Sequence, residues 1–253
     1  MVEKLEELKR FWKSEEEHSF EGWDFSYINN RTEGEEIPWN YREIVENLIN
    51  NESIMLDMGT GGGEFLIALN PKAKRVCATE GYAPNVELSK KRLEPMGIEV
   101  TQVFEDEHLD FQDETFDLII NRHEAFDLKE VKRILKKGGI FVTQQVGCEN
   151  NKELSKFLLD KEYVSEGAPL SRVLDQCREN ELEVLDVKEA FLKMYFLDIG
   201  ALVYYAKIIC WEFPEFTVER CFHKLMELQK LIDKGEKVIG REHRYLLMVK
   251  KIS

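Results

Sequence analysis

The chain has 253 residues, of which 43% are hydrophobic and 33% charged, a composition typical of a folded globular protein with one substantial core. Its 49 acidic residues outnumber its 35 basic residues, which gives a formal net charge of −14 and disfavours an extended nucleic-acid interface built on clustered lysine and arginine. These properties favour a small-molecule substrate over RNA or DNA.

The amino terminus, the apolar segments and the cysteines indicate the compartment. Residues 1–17 mix acids and bases and lack the apolar run of a signal peptide. The longest apolar stretch, residues 196–211, is interrupted by Asp198 and Lys207, short of the ~20 apolar residues that a membrane span needs, and is predicted to be a buried helix. The five cysteines form no CxxC pair, which indicates reduced thiols and no metal site. A cytoplasmic protein without a membrane partner is expected.

Residues 1–50 are predicted to form an amino-terminal helical cap. A first helix is followed by a loop and by a second helix over residues 41–49, whose start follows Pro38. The aromatic residues between the helices either form a lid over a ligand or anchor the cap to the core, and the sequence leaves both interpretations open. These residues are Trp23, Phe25, Tyr27, Trp39 and Tyr41.

From residue 53 onward, short apolar runs alternate with helical stretches, which is typical of βα units and a parallel sheet. The predicted strands are residues 53–58, 75–80, 98–103, 116–122 and 139–146. Helices are predicted at 64–69, 84–95 and 128–135, the last of them ended by Lys136-Lys137-Gly138-Gly139. Further along, the patterns predict helices at 153–159 and 170–180, a strand at 183–190, helices within 192–210 and at 218–233, and a last strand at 243–249.

A glycine-rich turn directly follows the first of these strands. Residues 54–64 read IMLDMGTGGGE, so an acid, Asp57, precedes glycines at positions 59, 61, 62 and 63. Glycine lets the backbone approach a ligand closely and take positive φ, and the carboxyl end of the first strand is where doubly wound sheets bind nucleotides. The turn therefore predicts a nucleotide-like ligand, although a merely tight connection would look the same.

Two acids indicate which nucleotide this is. Asp57 would face a dinucleotide pyrophosphate with like charge, whereas a sulfonium cofactor with an ammonium group would be attracted. Glu80 ends the next strand 80 − 63 = 17 residues after Gly63, near the ~20-residue spacing at which an acid reaches ribose hydroxyls. A solvated strand end is the alternative interpretation of Glu80.

DMGTGGGE and the following VCATEGYAPN resemble motifs I and II of class I S-adenosylmethionine-dependent methyltransferases, and residues 53–147 resemble the type 11 branch of that family. The resemblance implies an α/β fold with a doubly wound, mostly parallel seven-stranded Rossmann-like sheet, whose last, antiparallel strand is residues 243–249. It assigns residues 51–253 to the cofactor-binding domain, with substrate-side additions in 150–240. The implied cofactor is S-adenosylmethionine, with S-adenosylhomocysteine as product and no metal. These motifs say almost nothing about the acceptor.

The resemblance also implies roles for single residues. It places Glu80 at the ribose, with Thr60, Gly81 and Asn121 also among the cofactor-binding residues. The adenine amine would meet an acid after the third strand, and both Glu105 and Asp106 fit; counting back from Leu109-Asp110-Phe111 selects Glu105, but the departure from the family pattern leaves the choice open. The cofactor's amino-acid end would be lined by Asp57, Gly59, Gly61 and Gly63.

Asn121-Arg122-His123-Glu124 follows the fourth strand, at the edge where an acceptor should lie. Methyl transfer mainly requires alignment, and a general base is needed only if the nucleophile arrives protonated. His123 is the candidate base, with Glu124 orienting or charging it, and a hydrogen-bonded structural histidine is the alternative.

The predicted function is methyl transfer to a small molecule. Three alternatives are kept: an RNA or protein methyltransferase on the same fold, since net charge does not exclude a local basic patch; a cofactor-binding module without catalysis; and a nicotinamide dehydrogenase, which must explain Asp57. The acceptor and the oligomeric state are not predicted.

Overall fold

A computed structural model of the chain describes residues 2–20, 25–161 and 168–252. The chain divides into two compact units, each assembled from segments that are distant in sequence. Unit 1 comprises Met1–Ile37, Gly147–Ala168 and Ala190–Arg244. Unit 2 comprises Pro38–Val146, Pro169–Glu189 and Tyr245–Ser253.

Helices and strands alternate along much of the chain. The α-helices are α1 Val2–Glu16, α2 Tyr41–Leu48, α3 Glu64–Leu69, α4 Ala83–Leu93, α5 Leu128–Ile134, α6 Lys152–Leu159, α7 Leu170–Glu179, α8 Ile199–Ile208 and α9 Val218–Ile232. The strands are β1 Thr32–Gly34, β2 Ile54–Met58, β3 Arg75–Glu80, β4 Glu99–Gln102, β5 Phe116–Arg122, β6 Leu135–Val146, β7 Leu182–Phe196 and β8 Val238–Lys251. Short 3₁₀ helices lie at Ser26–Arg31 and Glu94–Met96.

Within the described residues, eight strands form one sheet in the order β1-β7-β8-β6-β5-β2-β3-β4. The pairs β2–β3, β2–β5, β3–β4 and β5–β6 are parallel, and β1–β7 is antiparallel. The order reverses beside β2, which is the arrangement that creates a ligand crevice at the carboxyl edge of an open sheet. The predicted fold class is confirmed, and the sheet has one strand more than predicted because the three-residue β1 pairs with β7.

The central strands of unit 2 are buried on both faces. Leu118 and Ile120 of β5 belong to one apolar cluster and Ile119 to another, as the two-residue period of a strand requires. Tyr41 and Val45, four residues apart on α2, join the first cluster, and each fully buried apolar side chain of this size contributes about 1.5–3 kcal/mol. The apolar clusters on both faces of the sheet thus fix the positions of the carboxyl ends of β2, β3 and β5.

Two boundary predictions were wrong. Lys136–Gly139 does not close a helix but lies within β6, where the pairing jumps from Phe116↔Leu135 to Leu118↔Ile140 and four residues oppose Asp117 as a bulge. Residues 192–196 were predicted to be helical but extend β7, because Met194, Tyr195 and Phe196 pair with the three residues of β1.

The apolar stretch after residue 196 contains α8, which is buried along Ile199–Ala206 in the core of unit 1. Asp198 caps its first turn by accepting the Ala201 N–H at 2.9 Å. The same carboxylate pairs with the guanidinium of Arg31. Nowhere in 2–20, 25–161 or 168–252 is a helix both long and apolar enough to cross a bilayer.

Candidate active site at the carboxyl edge of the sheet

The turn between β2 and α3 is fastened to its neighbour strand. Gly59, Gly61 and Gly63 have φ of +72°, +60° and +85°, in the left-handed region where a side chain costs energy. The N–H groups of Gly59 and Thr60 both donate to the Thr79 carbonyl of β3, at 3.0 and 2.9 Å. The turn is therefore a rigid extension of the sheet edge.

The three glycines serve different purposes. A methyl group added at Gly59 would lie 2.3 Å from Glu124 Cγ, and one at Gly63 would lie 2.9 Å from Leu93 Cγ. At Gly61 such a methyl group would meet no described atom within 4 Å. Gly59 and Gly63 thus make room for the protein's own side chains, and Gly61 is the glycine whose backbone an incoming ligand can approach.

Glu80 connects the turn to β3 through its side chain. The carboxylate is buried, and it accepts the Gly61 N–H on Oε2 at 2.7 Å and the Tyr82 N–H on Oε1 at 2.8 Å. Each carboxylate oxygen has two lone pairs, so each can accept one further hydrogen bond. Glu80 therefore presents two prealigned acceptors, which suit the adjacent hydroxyls of a ribose.

Asp57 is buried at the end of β2, and its Oδ2 atom has no hydrogen-bond partner among the described residues. Burial raises the pKa of Asp57 to about 7, and Glu80 adds to the rise, whereas the Thr60 hydroxyl and Arg122 act against it. A buried carboxylate oxygen without a partner is costly. A cation or hydrogen-bond donor from a ligand would satisfy it.

A narrow cavity lies beside the turn, and its lining includes Met58, Gly59, Thr79, Gly81, Asp106 and Glu124. Asp106 is half-buried in this lining, whereas Glu105 is exposed outside it. Burial raises the pKa of Asp106, and Glu107 and Asp127 add to the rise. Of the two acids left open by the sequence, the structure brings Asp106 to the cavity.

Glu124 reaches the same cavity from the loop after β5. Its side chain lies against the Cα of Gly59, which explains why only glycine fits there. The residue as a whole is exposed, but partial desolvation of its carboxyl group raises the pKa to about 7; Glu80 and Asp106 add to the rise, while the Ala125 N–H acts against it. Asp106 and Glu124 therefore line one small space, and Glu80 lies close enough to act on Glu124, an electrostatic environment that favours a cation.

His123 belongs to a different network. It has φ of +63°, it donates its backbone N–H to the Gln144 carbonyl at 2.9 Å, and its Nε2 lies 3.2 Å from Gln144 Nε2. The Gln144 Oε1 accepts the Trp39 indole N–H at 2.8 Å. His123 is thus seated between two strand ends, whereas its neighbour Glu124 lies against the turn.

Asn121 is buried at the end of β5 and is held from three sides. Its Oδ1 accepts the Thr143 hydroxyl at 2.7 Å and the Gln145 amide at 2.5 Å, and its carbonyl accepts the Tyr41 hydroxyl at 2.9 Å. Its Nδ2 has no partner among the described residues. The sequence pointed to Asn121 and, as a cap aromatic, to Tyr41, but it did not predict their contact or Thr143, because these depend on the packing of α2 and the pairing of β5 with β6.

The aromatic residues of the predicted cap fall into two groups. Phe25 packs against Tyr205, with 5.9 Å between ring centroids, and Tyr27 against Tyr204 at 4.8 Å, both within unit 1. Trp39 and Tyr41 instead donate hydrogen bonds to the strand ends of unit 2. Trp23 lies outside the described residues.

Comparison with known proteins places this geometry in a class. Residues 56–143 match the model of a family described as a methyltransferase domain. That segment contains the turn, Glu80, Asp106 and Glu124. Residues 56–143 are therefore similar to a methyltransferase domain, and the mostly parallel sheet flanked by helices has the class I methyltransferase fold. No curated protein matches the sequence.

Solved structures share the fold at low sequence identity. A candidate methyltransferase of Bacillus halodurans C-125 is 18% identical, with a TM-score of 0.61 over 84% of this chain and 97% of that one. A geranyl diphosphate methyltransferase in complex with GPP and sinefungin is 13% identical, with a TM-score of 0.51 over 83% and 77%. The [4+2]-cyclase SpnF is 14% identical, with a TM-score of 0.52 over 83% and 80%. The fold alone therefore does not fix the reaction.

The two kinds of glycine can be separated by substitution. Gly59→Ala should destabilise the protein more than Gly97→Ala, because both positions have positive φ but only Gly59 is in close contact with a side chain. We expect about 1 kcal/mol from the backbone at each position and a further ~1–3 kcal/mol from the Glu124 contact. Urea denaturation of both variants measures the difference, and equal losses would show that Glu124 moves away without cost.

Proposed function

We propose that the protein is an S-adenosylmethionine-dependent methyltransferase that acts on a small-molecule acceptor. The observation that carries the proposal is Glu80, a buried carboxylate fixed by the Gly61 and Tyr82 N–H groups and able to accept two more hydrogen bonds. The methyltransferase domain match covers this residue and the turn. The bound cofactor supplies an electrophilic methyl group on a sulfonium.

Each side of the cofactor has residues of matching chemistry. Glu80 would hold the ribose hydroxyls beside Gly81, and Asp106 would accept from the adenine amine. The unpartnered Nδ2 of Asn121 is a further donor at the same edge. The amino-acid end would be held by Asp57, Gly59, Thr60, Gly61 and Gly63. Asp57, with its unpaired Oδ2, suits the ammonium group.

The charges of the cavity argue against a phosphate-bearing cofactor. Asp106 and Glu124 line the cavity, and Glu80 and Asp106 both raise the pKa of Glu124. A pyrophosphate in this space would add like charge, whereas a sulfonium and an ammonium would offset it. This favours S-adenosylmethionine over a nicotinamide dinucleotide.

The chain's own residues can align an acceptor and, where needed, take its proton. Glu124 is the group placed for proton transfer, because it lines the cavity and a pKa of about 7 suits a base near neutral pH. His123, the base that the sequence suggested, would instead position the loop through its contact with Gln144. An RNA or protein acceptor and a module without catalysis are the remaining alternatives.

Glu80 provides the direct test of cofactor binding. Glu80→Gln keeps the size of the side chain but leaves an amide facing one of its two N–H donors, and it should weaken binding of both S-adenosylmethionine and S-adenosylhomocysteine by ~1–3 kcal/mol. Glu99→Gln on β4, whose carboxylate is exposed beside Arg75, is the matched control and should leave calorimetric affinities unchanged. A folded Glu80→Gln protein with wild-type affinity would remove Glu80 from the site.

The adenine contact can be tested with a paired substitution. Asp106→Asn should reduce affinity for S-adenosylhomocysteine roughly tenfold, while Glu105→Gln should have no effect. S-inosylhomocysteine, which lacks the adenine amine, should bind the wild type more weakly, and Asp106→Asn should abolish that discrimination. The reverse pattern, with Glu105→Gln as the sensitive variant, would assign the contact to Glu105.

A further inference from the structure

Arg122 ends β5 at the carboxyl edge of the sheet with its side chain exposed. Since Met58 pairs with Asn121, Arg122 stands level with the first residue of the glycine-rich turn. Its guanidinium carbon lies 5.1 Å from the centroid of the Phe65 ring, on the first turn of α3. Within 25–161 and the other described ranges, no carboxylate pairs with this guanidinium and no acceptor takes its N–H groups.

The absence of an ion pair among the described residues is unusual for an arginine of this chain. Of its twelve arginines, ten form ion pairs within the described residues, and Arg10 donates to the Glu6 carbonyl. Acids outnumber bases by 49 to 35, so partners are abundant. Among the described residues, Arg122 is thus an arginine at the carboxyl edge of the sheet that forms no ion pair, although it acts on Asp57 from a longer distance.

The residues next to Arg122 are held in place by their own contacts. Its partner in the β5–β6 pairing is Gln144, which is buried and accepts the indole N–H of the half-buried Trp39. A guanidinium stacked on an aromatic ring keeps its edge N–H groups free for planar, bidentate hydrogen bonding. The residues therefore provide a cation oriented by the Phe65 ring, next to a strand end that Trp39 fixes through Gln144.

We propose that Arg122 binds an oxyanion of the methyl acceptor, a carboxylate or a phosphate, so that the acceptor is an anionic small molecule. This inference rests on the proposed methyltransferase function and adds the chemical class of the substrate. Arginine recognises both oxyanions through two parallel N–H donors. In a protein of net charge −14, an unpaired arginine at this edge also selects where an anion can bind.

The experiment uses the full chain saturated with S-adenosylhomocysteine and three probes: phenylacetate, phenyl phosphate and the neutral phenylacetamide. Saturation-transfer NMR and calorimetry should show at least one oxyanion binding roughly tenfold or more tightly than the amide. Arg122→Gln should lower the affinity for the two oxyanions to that for the amide, and Arg122→Lys should restore part of the lost affinity. Arg42→Gln, an exposed arginine of the same unit paired with Glu46, should change nothing.

The other outcomes overturn the proposal in distinct ways. Equal binding of oxyanions and amide, or no probe binding to the saturated protein, would show that Arg122 does not select anions. A roughly tenfold or greater loss of S-adenosylhomocysteine affinity in Arg122→Gln would assign the arginine to the cofactor's own carboxylate. If the wild type does not bind S-adenosylhomocysteine, the methyltransferase function fails and this inference falls with it.

Discussion

The hydrogen bond from the Gly61 N–H to the Glu80 carboxylate, at 2.7 Å, connects two segments on which the proposed site depends. It ties the centre of the turn after β2 to the end of β3, and a second bond from the Tyr82 N–H fixes the carboxylate from the other side. A buried carboxylate is tolerable only when its lone pairs are used. The acid therefore holds the turn while remaining ready for a ligand that donates to its other lone pairs.

Charge is distributed unevenly around this bond. Asp57, Asp106 and Glu124 all have raised pKa values, with burial as the largest cause in each case. Such a cluster raises the free energy of the protein near neutral pH when no cation compensates it. Arg122 opposes the effect at Asp57 and is itself unpaired within the described residues. The site thus combines an acidic cavity suited to a cationic cofactor with a separate cation at its edge.

Much of the fold could be predicted because local patterns determine it. The predicted α3, residues 64–69, and the predicted β5, residues 116–122, match the structure, since glycine or polar residues bound each apolar run. Residues 192–196 were mispredicted because an apolar run can be strand or helix, and only pairing with β1 decides between them. The choice between Glu105 and Asp106 likewise depends on how the loop turns after β4. That Arg122 forms no ion pair among the described residues cannot be predicted from the sequence, because ion pairing depends on which acidic side chains the tertiary structure brings close to each basic one.

A cavity built for a cation should bind its cofactor with an affinity that depends on pH, and this dependence is the most direct test. The folded pKa of Asp57 and of Glu124 is raised to about 7, so these acids are increasingly protonated as the pH falls below that value. The ammonium group, which both ligands carry, should favour ionised Asp57, whereas only the sulfonium of S-adenosylmethionine adds to the ionisation of Glu124 and so releases more protons on binding. Calorimetric titration from about pH 6 to about pH 8 should show its affinity rising with pH more steeply than that of the neutral thioether S-adenosylhomocysteine. Parallel pH profiles for the two ligands, or no binding of either, would contradict a cavity built for a cation.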